Sequence, residues 1–369
     1  FGSSHLQWPN FRVASRWPTS WGALASPSFD YSPTASFSLR AFLPSQSTFS
    51  DPPANRPTSA VAMGNVPPSP LKDFGPNSLS RDGDFDANRF QIALHNWCEP
   101  YRWACSPPFL VGWYNEKRRE TAQSAQLIKA DEDCVGYALY SVPGFLDTVA
   151  QYYRKHHPET DYVDATTKEI LNRLRMALPN DLVSEVYMNK VVNTDAGPQY
   201  YHVQTIGCVA GLDEHIEVSQ LDDEGGWKKD LSDKLQQSRD QKMWGSDPAT
   251  LRKIFGVNVH PVWGGWYGYR ALVVLKNAKA PRMRRPEPLR FLDPPDAKRI
   301  ITEFNLRHAE CRWRDLEENN HNPRTRYTTS EFFYFTETDP RKRLRYLELR
   351  ASELDTLERE GMKARSQAP

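Results

Sequence analysis

A patch of glycine and aromatic residues between His260 and Arg270, HPVWGGWYGYR, has the residue types most suggestive of chemistry. Gly264 and Gly265 allow backbone geometry that other residues avoid, or let a flat ligand approach the main chain. The neighbouring Trp and Tyr rings offer broad apolar faces. The patch therefore suits a planar ring system, and the alternative is a Gly-Gly turn capped by core aromatics. Neither GxGxxG nor GxxxxGK[ST] is present, so a phosphate-binding loop is not predicted.

The histidines and cysteines do not form a recognisable metal-binding or nucleophilic motif. His260 is a candidate metal ligand or general base, although a lone His beside a proline at a strand end is more often structural. The nine His residues form no HExxH pair, and the five Cys residues form neither CxxC nor a zinc spacing. Cys208 lies in an apolar setting, TIGCVAG, that favours an inert thiol. Since no Ser, His and Asp pattern occurs either, the sequence predicts no metal site and no catalytic side chain.

Three arginines, Arg270, Arg314 and Arg343, belong to separate predicted elements. Guanidinium groups bind carboxylates through paired, planar donors, so three of them at one site would form a receptor for a ligand with several carboxylates. Taken singly, each is an ordinary surface or ion-paired arginine. The residues alone leave both interpretations open.

Apolar periodicity predicts the elements that must position these residues. Helices are predicted at 90–97, from 144 to 153, at 166–178, near 295–313 and at 339–362. Strands are predicted at FLVGWY (109–114), CVGYALYSV (134–142), SEVYMNKVV (184–192), QYYHVQTIGCVAG (199–211), KIFGVNVHP (253–261) and GYRALVVLK (268–276), with the third and fourth joined as a hairpin. This order predicts an α+β domain in which helices flank an antiparallel sheet.

Composition limits the classes of protein to which the chain can belong. The 47 Lys and Arg nearly balance the 46 Asp and Glu, so no long-range field favours nucleic acid or an acidic membrane. No apolar run approaches the roughly 18 residues that a membrane-spanning helix requires. The few scattered cysteines indicate reduced thiols. We therefore expect neither a nucleic acid nor a membrane as a partner.

Three segments are expected along the chain. Residues 1–86 are rich in Ser and Pro and lack periodicity, which predicts a disordered extension. Residues 87–350 carry the periodic elements and form the predicted domain, and residues 351–369 form a charged helical tail. Met63 is the first methionine and a candidate start, and the Ser-rich, acid-poor stretch before it has a composition that transit peptides share.

Several strings occur in the order in which one known family has them. They are VGWYNE (111–116), QTIGCVAG (204–211), GVNVHPVWGGWYGYRALVVL (256–275), FNLRHAECRWRD (304–315), RYTTSEFFYF (326–335) and RKRL (341–344). Together, over roughly residues 87 to 350, they resemble the cobalamin-processing methylmalonic aciduria and homocystinuria type C family. The 256–275 string is the most specific of the set.

The resemblance implies a fold similar to flavin-dependent nitroreductases and a role in cytoplasmic vitamin B12 processing. Cobalamin would bind base-off; cyanocobalamin would lose cyanide with electrons from a reduced flavin (FAD or FMN), and alkylcobalamins would pass the alkyl group to glutathione. Implied partners are the type D cobalamin-trafficking protein and a flavin-containing reductase such as methionine synthase reductase. The implied state is a monomer or a ligand-dependent homodimer. A non-catalytic cobalamin carrier and a flavin-only reductase are the alternatives.

The resemblance also assigns site residues. Arg270, Arg314 and Arg343 match arginines proposed to hold the glutathione carboxylates, and Gly256 matches a glycine whose replacement by a bulkier residue would obstruct corrin binding. Positions that match the lining of the corrin cavity are Tyr201, His202, Val203, Gln204, His215, Ile216, Glu217, Asn258 and Tyr269.

One departure from the family affects the predicted cobalt environment. The mammalian form has His-x-x-Gly where this chain has Cys208-Val209-Ala210-Gly211, so a His ligand to cobalt at position 208 is ruled out. Base-off binding without a protein ligand is compatible with Cys208. A thiolate beside cobalt is the less favoured alternative.

Overall fold

The computed structural model describes residues 70–366, apart from residues 76, 81–82, 121–126, 158–160, 181, 183, 189–191, 195–196, 200, 239–252, 317–325 and 338. The predicted extension before residue 70 therefore lies outside the described residues. The turn of the predicted hairpin falls at NTDAG (193–197), and its residues 195–196 lie outside them as well.

An antiparallel sheet forms the centre of the fold. Its order is β1 (Trp103–Cys105), β3 (Cys134–Ser141), β9 (Gly268–Lys279) and β4 (Ser184–Met188), and β2 (Phe109–Leu110) pairs with the other end of β3. All residues of β3 are buried, as expected for a central strand that is covered on both faces. The predicted mixed fold with an antiparallel sheet and helices is confirmed.

Helices and two small strand pairs complete the described part of the chain. The strand pairs are β5 (Val192–Thr194) with β6 (Gly197–Gln199), and β7 (Glu214–Ile216) with β8 (Val257–Val259). The helices are α1 (Ala87–Cys98), α2 (Val111–Glu120), α3 (Phe145–His156), α4 (Tyr162–Ala177), α5 (Val203–Val209), α6 (Trp227–Ser238), α7 (Pro294–Leu306), α8 (Thr329–Thr336) and α9 (Pro340–Ser366). Among the described residues, no helix is long and apolar enough to cross a membrane.

The two faces of the sheet bury different helices, because successive side chains of a strand point to opposite faces. Val273 and Leu275 of β9 pack with residues of α1, α3, α4 and α9 in the largest core cluster. Leu272 and Val274 pack on the other face with residues of α2 and α5. Helix α5, which carries part of the candidate site, is thus held against the centre of the sheet.

Two of the predicted strands are wrong. Only Phe109 and Leu110 of FLVGWY are a strand, and the chain then turns into α2, whose buried residues Val111, Tyr114, Asn115 and Arg118 follow helical spacing. Within QYYHVQTIGCVAG, residues 203–209 form α5. The side chain of His202 caps this helix by accepting a hydrogen bond from the Thr205 N–H.

The folded part begins before residue 87 and continues past residue 350. Leu71, Phe74 and Phe85 are buried in the largest core cluster, and the Phe74 and Phe90 ring centroids are 5.3 Å apart. At the other end, Leu354 of α9 is buried in the same cluster. The predicted charged tail is therefore the C-terminal part of α9, and its first turns pack on the core.

A buried carboxylate, Glu331, joins α8 to the first turn of α3. One oxygen of Glu331 accepts hydrogen bonds from the N–H groups of Gly144 (2.8 Å) and Leu146 (3.1 Å). The other accepts from the Thr328 N–H at 3.1 Å, within a capping box at the start of α8. A negative charge at the N-terminus of α3 also interacts favourably with the positive end of the helix dipole.

Replacing Glu331 with Ala should lower the free energy of unfolding by about 2 to 4 kcal/mol, because it removes a cap and leaves buried N–H groups without acceptors. Urea unfolding measures the change. Glu360→Ala, at an exposed position of α9, is the matched control and should change stability by less than about 0.5 kcal/mol. Equal losses in the two variants would contradict the assigned role of Glu331.

Candidate functional site

The residues matched to the corrin cavity lie on neighbouring elements. Tyr201 to Gln204 form the start of α5, His215 to Glu217 lie on and just after β7, Gly256 and Asn258 lie at β8, and Tyr269 lies at the start of β9. Helix α5 contacts β7, β8 and β9. Segments that are far apart in the sequence thus form one region of the surface.

Asp213, which the sequence analysis did not single out, links these elements. It is buried, with 1% of its surface exposed. The Tyr269 hydroxyl and the Asn258 Nδ2 group, the latter at 3.1 Å, donate hydrogen bonds to its Oδ2. Burial raises the pKa of Asp213 to about 6, and the hydrogen bonds from Tyr269, Asn258 and Tyr267 oppose that rise. The signal in the sequence is an Asp that directly follows the apolar run CVAGL.

Asn258 carries the network from Asp213 to the surface. Its Nδ2 group also donates to the Gln204 carbonyl at 2.9 Å, which ties β8 to α5. Its Oδ1 lies 2.6 Å from Nδ1 of His215, the residue opposite it in the β7–β8 pair. The chain Asp213, Asn258, His215 therefore runs from the interior to a half-buried imidazole.

His202 has a structural position at the start of α5. Its Nδ1 lies 2.8 Å from the Thr205 hydroxyl, and its backbone N–H donates to the Tyr114 hydroxyl at 3.0 Å. Burial, together with the smaller effects of the nearby Arg118 and His215, lowers the pKa of His202 to about 4. The ring is therefore neutral near pH 7.

The predicted cavity residues divide into two groups by exposure. Tyr201, Val203 and Ile216 are buried and pack in apolar clusters, so they support the site from beneath. The side chains that are half-buried and reach the surface are those of His202, Gln204, His215, Glu217 and Tyr269.

Two glycines are required by close approaches within this region. A Cβ at Gly256 would lie 2.7 Å from the Ile216 carbonyl oxygen and 3.2 Å from Cε1 of His215. A Cβ at Gly207 would overlap the Tyr269 hydroxyl and the Asp213 carboxylate. A bulkier residue at Gly256 would therefore displace β7 and His215.

The HPVWGGWYGYR patch forms a Gly-Gly turn, which was the alternative to a binding surface for a planar ring system. His260 and Gly264 pair as an antiparallel bridge, and Gly264 has a positive φ of 54°. Nδ1 of His260 accepts hydrogen bonds from the N–H groups of Val262 (3.0 Å) and Trp263 (3.2 Å). Burial lowers the pKa of His260 to about 3, so the ring is a neutral acceptor that holds the turn.

The three predicted arginines lie around two tyrosines. Burial raises the pKa of Tyr327, and the charges of Arg314 and Arg270 oppose that rise. Burial raises the pKa of Tyr334 as well, and Arg343 opposes it by its charge and a hydrogen bond. Within the described residues, none of the three arginines forms an ion pair with a carboxylate. The anion-receptor hypothesis requires arginines without paired carboxylates, and it stays a prediction.

An aromatic ring and a hydrogen-bond acceptor hold each of two of these guanidiniums. Arg314 donates to the Gly265 carbonyl and lies 4.3 Å over the Trp313 ring. Arg270 donates from Nε to the Ser141 hydroxyl at 2.8 Å and lies 4.8 Å over the Phe145 ring. Cation–π contacts of this kind fix the position of a charge without neutralising it.

Successive side chains of the segment 266–270 point to opposite sides, one toward the arginine group and the other toward the Asp213 network. Trp266 contacts Arg314, and Arg270 contacts the aromatic rings of α3 and α8. Tyr267 and Tyr269 point the other way, toward each other and Asp213. The arginine group and the Asp213 network therefore share the start of β9 but lie on opposite faces of it.

A cavity of about 420 Å³ lies beside α2. Its lining is Leu110, Gly112, Trp113, Glu116, Arg119, Glu132, Asp133 and Pro281. None of the predicted site residues takes part in this lining.

Comparisons with known proteins give the same family as the sequence strings. The model of the methylmalonic aciduria and homocystinuria type C family matches residues 105–347. The chain belongs to this family. A cyanocobalamin reductase / alkylcobalamin dealkylase of Bos taurus is 27% identical over 247 residues, which cover 66% of this chain and 76% of that protein.

Other relatives of the type C family are similar over the same region. A protein of the same name from Gallus gallus is 25% identical over 65% of this chain and 89% of its own length. The crystal structure of a C. elegans B12-trafficking protein superposes with a TM-score of 0.55 at 18% identity, covering 71% of this chain and 95% of that one. The fold of this chain is therefore that of a solved B12-trafficking protein.

The raised pKa of Asp213 predicts how stability depends on pH. The folded chain binds the Asp213 proton more tightly than the unfolded chain, whose pKa is 3.8, so the contribution is complete below pH 3.8 and is lost as pH rises through about 6. Between about pH 4 and pH 7.5, the free energy of unfolding should fall by up to about 3 kcal/mol relative to Asp213→Asn.

Urea unfolding of both proteins across this pH range checks the prediction. Asp230→Asn, an exposed substitution on α6, is the matched control and should keep the pH dependence of the parent chain. If the parent chain and Asp213→Asn gave parallel curves, Asp213 would not be a buried, titrating group.

Proposed function

We propose that this chain processes vitamin B12 by binding cobalamin base-off and removing its upper ligand. The observation that carries the proposal is that the Asp213 network lies on one face of the start of β9 and Arg270 on the other, in a group with Arg314 and Arg343 that forms no ion pair within the described residues. Membership of the type C family and the names of the curated relatives support it.

One proposed reaction is glutathione-dependent dealkylation. The thiolate of glutathione attacks the alkyl carbon, a carbon–sulfur bond forms, and the carbon–cobalt bond breaks with its electron pair left on cobalt as cob(I)alamin. Arg270, Arg314 and Arg343 hold the two carboxylates of glutathione through charge-assisted hydrogen bonds. The protein contributes orientation of the two substrates, and this is consistent with the lack of a predicted acid–base pair.

The other proposed reaction is reductive loss of cyanide from cyanocobalamin. A reduced flavin, FAD or FMN, supplies one electron to cobalt(III), and cyanide leaves with its bonding pair as cobalt(II) forms. We also propose that the fold is similar to that of flavin-dependent nitroreductases and that the protein acts in the cytoplasm. The proposed electron source is a flavin-containing reductase such as methionine synthase reductase. The proposed recipient of the product is the type D trafficking protein.

The state of Cys208 supports assigning the nucleophile to glutathione. Burial raises the pKa of the Cys208 thiol, and the nearby Asp213 raises it further. Near pH 7 this side chain is therefore a thiol, a poor nucleophile and a poor cobalt ligand. A thiolate of the chain itself beside cobalt is disfavoured.

An absorbance titration of methylcobalamin with the protein, followed by anaerobic glutathione, tests the function. We expect a shift from the red base-on spectrum to the yellow base-off spectrum, and then the appearance of cob(I)alamin. A shift that stops at base-off would favour the carrier hypothesis. No shift at all would contradict cobalamin binding.

Replacing Arg270 with Gln should raise the KM for glutathione on the order of 10- to 100-fold, because it removes a charge-assisted pair to a carboxylate. The Kd for methylcobalamin should change by less than about 3-fold. Arg312→Gln is the matched control, because Arg312 is exposed in the same short helix as Arg314. Unchanged turnover at low glutathione in Arg270→Gln would show that this arginine does not hold the thiol.

A further inference from the structure

Tyr327 lies at the centre of a series of contacts between aromatic rings and guanidinium groups. Its ring contacts Trp266, with centroids 5.4 Å apart, and Phe335, with centroids 5.1 Å apart. The guanidinium of Arg314 lies 5.6 Å from the centroid of the Trp266 ring. That of Arg270 lies 5.7 Å from the centroid of the Phe335 ring. The contacts therefore run in the order Arg314, Trp266, Tyr327, Phe335, Arg270.

The Tyr327 hydroxyl is a protonated donor that is influenced by both of these charges. Burial raises the pKa of Tyr327, and the charges of Arg314 and Arg270 oppose the rise. The nearby Glu331 and Cys311 raise it by smaller amounts. The hydroxyl therefore keeps its proton near pH 7 and can donate a hydrogen bond. Within the part of the chain that the structure describes, it forms no hydrogen bond with the protein.

Tyr327 differs in its access to a ligand from Tyr334, the other tyrosine of the arginine group. Tyr327 is half-buried, whereas Tyr334 is completely buried. Tyr334 is also held by Arg343, which forms a hydrogen bond with it and lies 5.0 Å from the centroid of its ring. Of the two phenols, Tyr327 is therefore the one that can contact an anionic ligand between the arginines.

We propose that the Tyr327 hydroxyl donates a hydrogen bond to the sulfur of glutathione and, with Arg270 and Arg314, holds that sulfur as a thiolate. Glutathione has a carboxylate at each end and its thiol on the middle residue. A molecule whose ends bind Arg314 and Arg270 therefore carries its sulfur close to the tyrosine between them. The inference rests on the proposed function, because it requires glutathione at the arginines.

The hydrogen bond and the two positive charges both favour the anionic form of the sulfur. A hydrogen bond to an anion is stronger than one to a neutral thiol, and nearby cations stabilise a thiolate. The proton of the thiol leaves to solvent, and Tyr327 keeps its own. The thiolate then forms the bond to the alkyl carbon, and the carbon–cobalt bond breaks with its electron pair left on cobalt.

The pH dependence of methylcobalamin dealkylation, measured anaerobically at saturating glutathione, tests this role. In the parent chain, the midpoint of the rate profile should lie below the pKa of the free glutathione thiol. In Tyr327→Phe the midpoint should rise by about one to two pH units, because a hydrogen bond to a charged group is lost. The rate near pH 7 should therefore fall about 10- to 100-fold, and the two rates should converge at alkaline pH. The KM for glutathione should change by less than about 3-fold, because the arginines still hold the carboxylates.

Tyr327→Phe keeps the ring and its contacts with Trp266 and Phe335, so its base-off shift with methylcobalamin should match that of the parent chain. Tyr152→Phe is the matched control, because Tyr152 is a half-buried tyrosine of α3 whose ring contacts His156. This control should keep the midpoint of the parent chain.

Two results would overturn the role of Tyr327 and leave the proposed function intact. One is an equal midpoint in the parent chain and Tyr327→Phe, and the other is a loss of rate by the same factor at every pH, which indicates a structural role. A parent chain that binds methylcobalamin but does not dealkylate it at any pH would instead overturn the proposed reaction itself, and this inference with it.

Discussion

The hydrogen bonds that the buried Asp213 carboxylate accepts determine the geometry of the candidate site. Tyr269 of β9 and Asn258 of β8 both donate to it, and Asn258 in turn positions Gln204 and His215. A buried carboxylate is costly unless it is paired, and both of these hydrogen bonds go to Oδ2, so the two donors are under strong energetic constraint. The same constraint explains Gly207, whose missing side chain lets α5 approach Asp213 and Tyr269.

The start of β9 connects this network with the arginines. Its alternating side chains place Tyr269 on the face with Asp213 and Arg270 on the face with α3 and α8. A ligand that contacts both the Asp213 network and the arginines must therefore lie at the N-terminal end of β9. There the turn at Gly264 and Gly265 packs against Arg314. The proposed sites for cobalamin and glutathione would therefore meet at this end of a central strand of the sheet.

Sequence patterns predicted long, continuous elements better than short ones. The strands 134–141 and 268–279 and the helices 145–156 and 162–177 follow clear apolar patterns. Short apolar runs such as 109–114 and 203–209 fit a strand or a helix equally well, and tertiary packing decided both. Asp213 was missed because burial of a carboxylate depends on Asn258 and Tyr269, far along the chain. The corrin and arginine residues came from family resemblance, which periodicity does not supply.

Hydrogen–deuterium exchange with and without methylcobalamin is the most direct test that the Asp213 network forms the cobalamin site. We expect slower exchange in α5, β7, β8 and the first residues of β9, where bound corrin would cover the network and restrict opening of its backbone. Peptides that contain Trp113 or Glu132, which line the cavity beside α2, should exchange at the same rate with and without methylcobalamin. Protection confined to that cavity, with none at β7 and β8, would contradict the account.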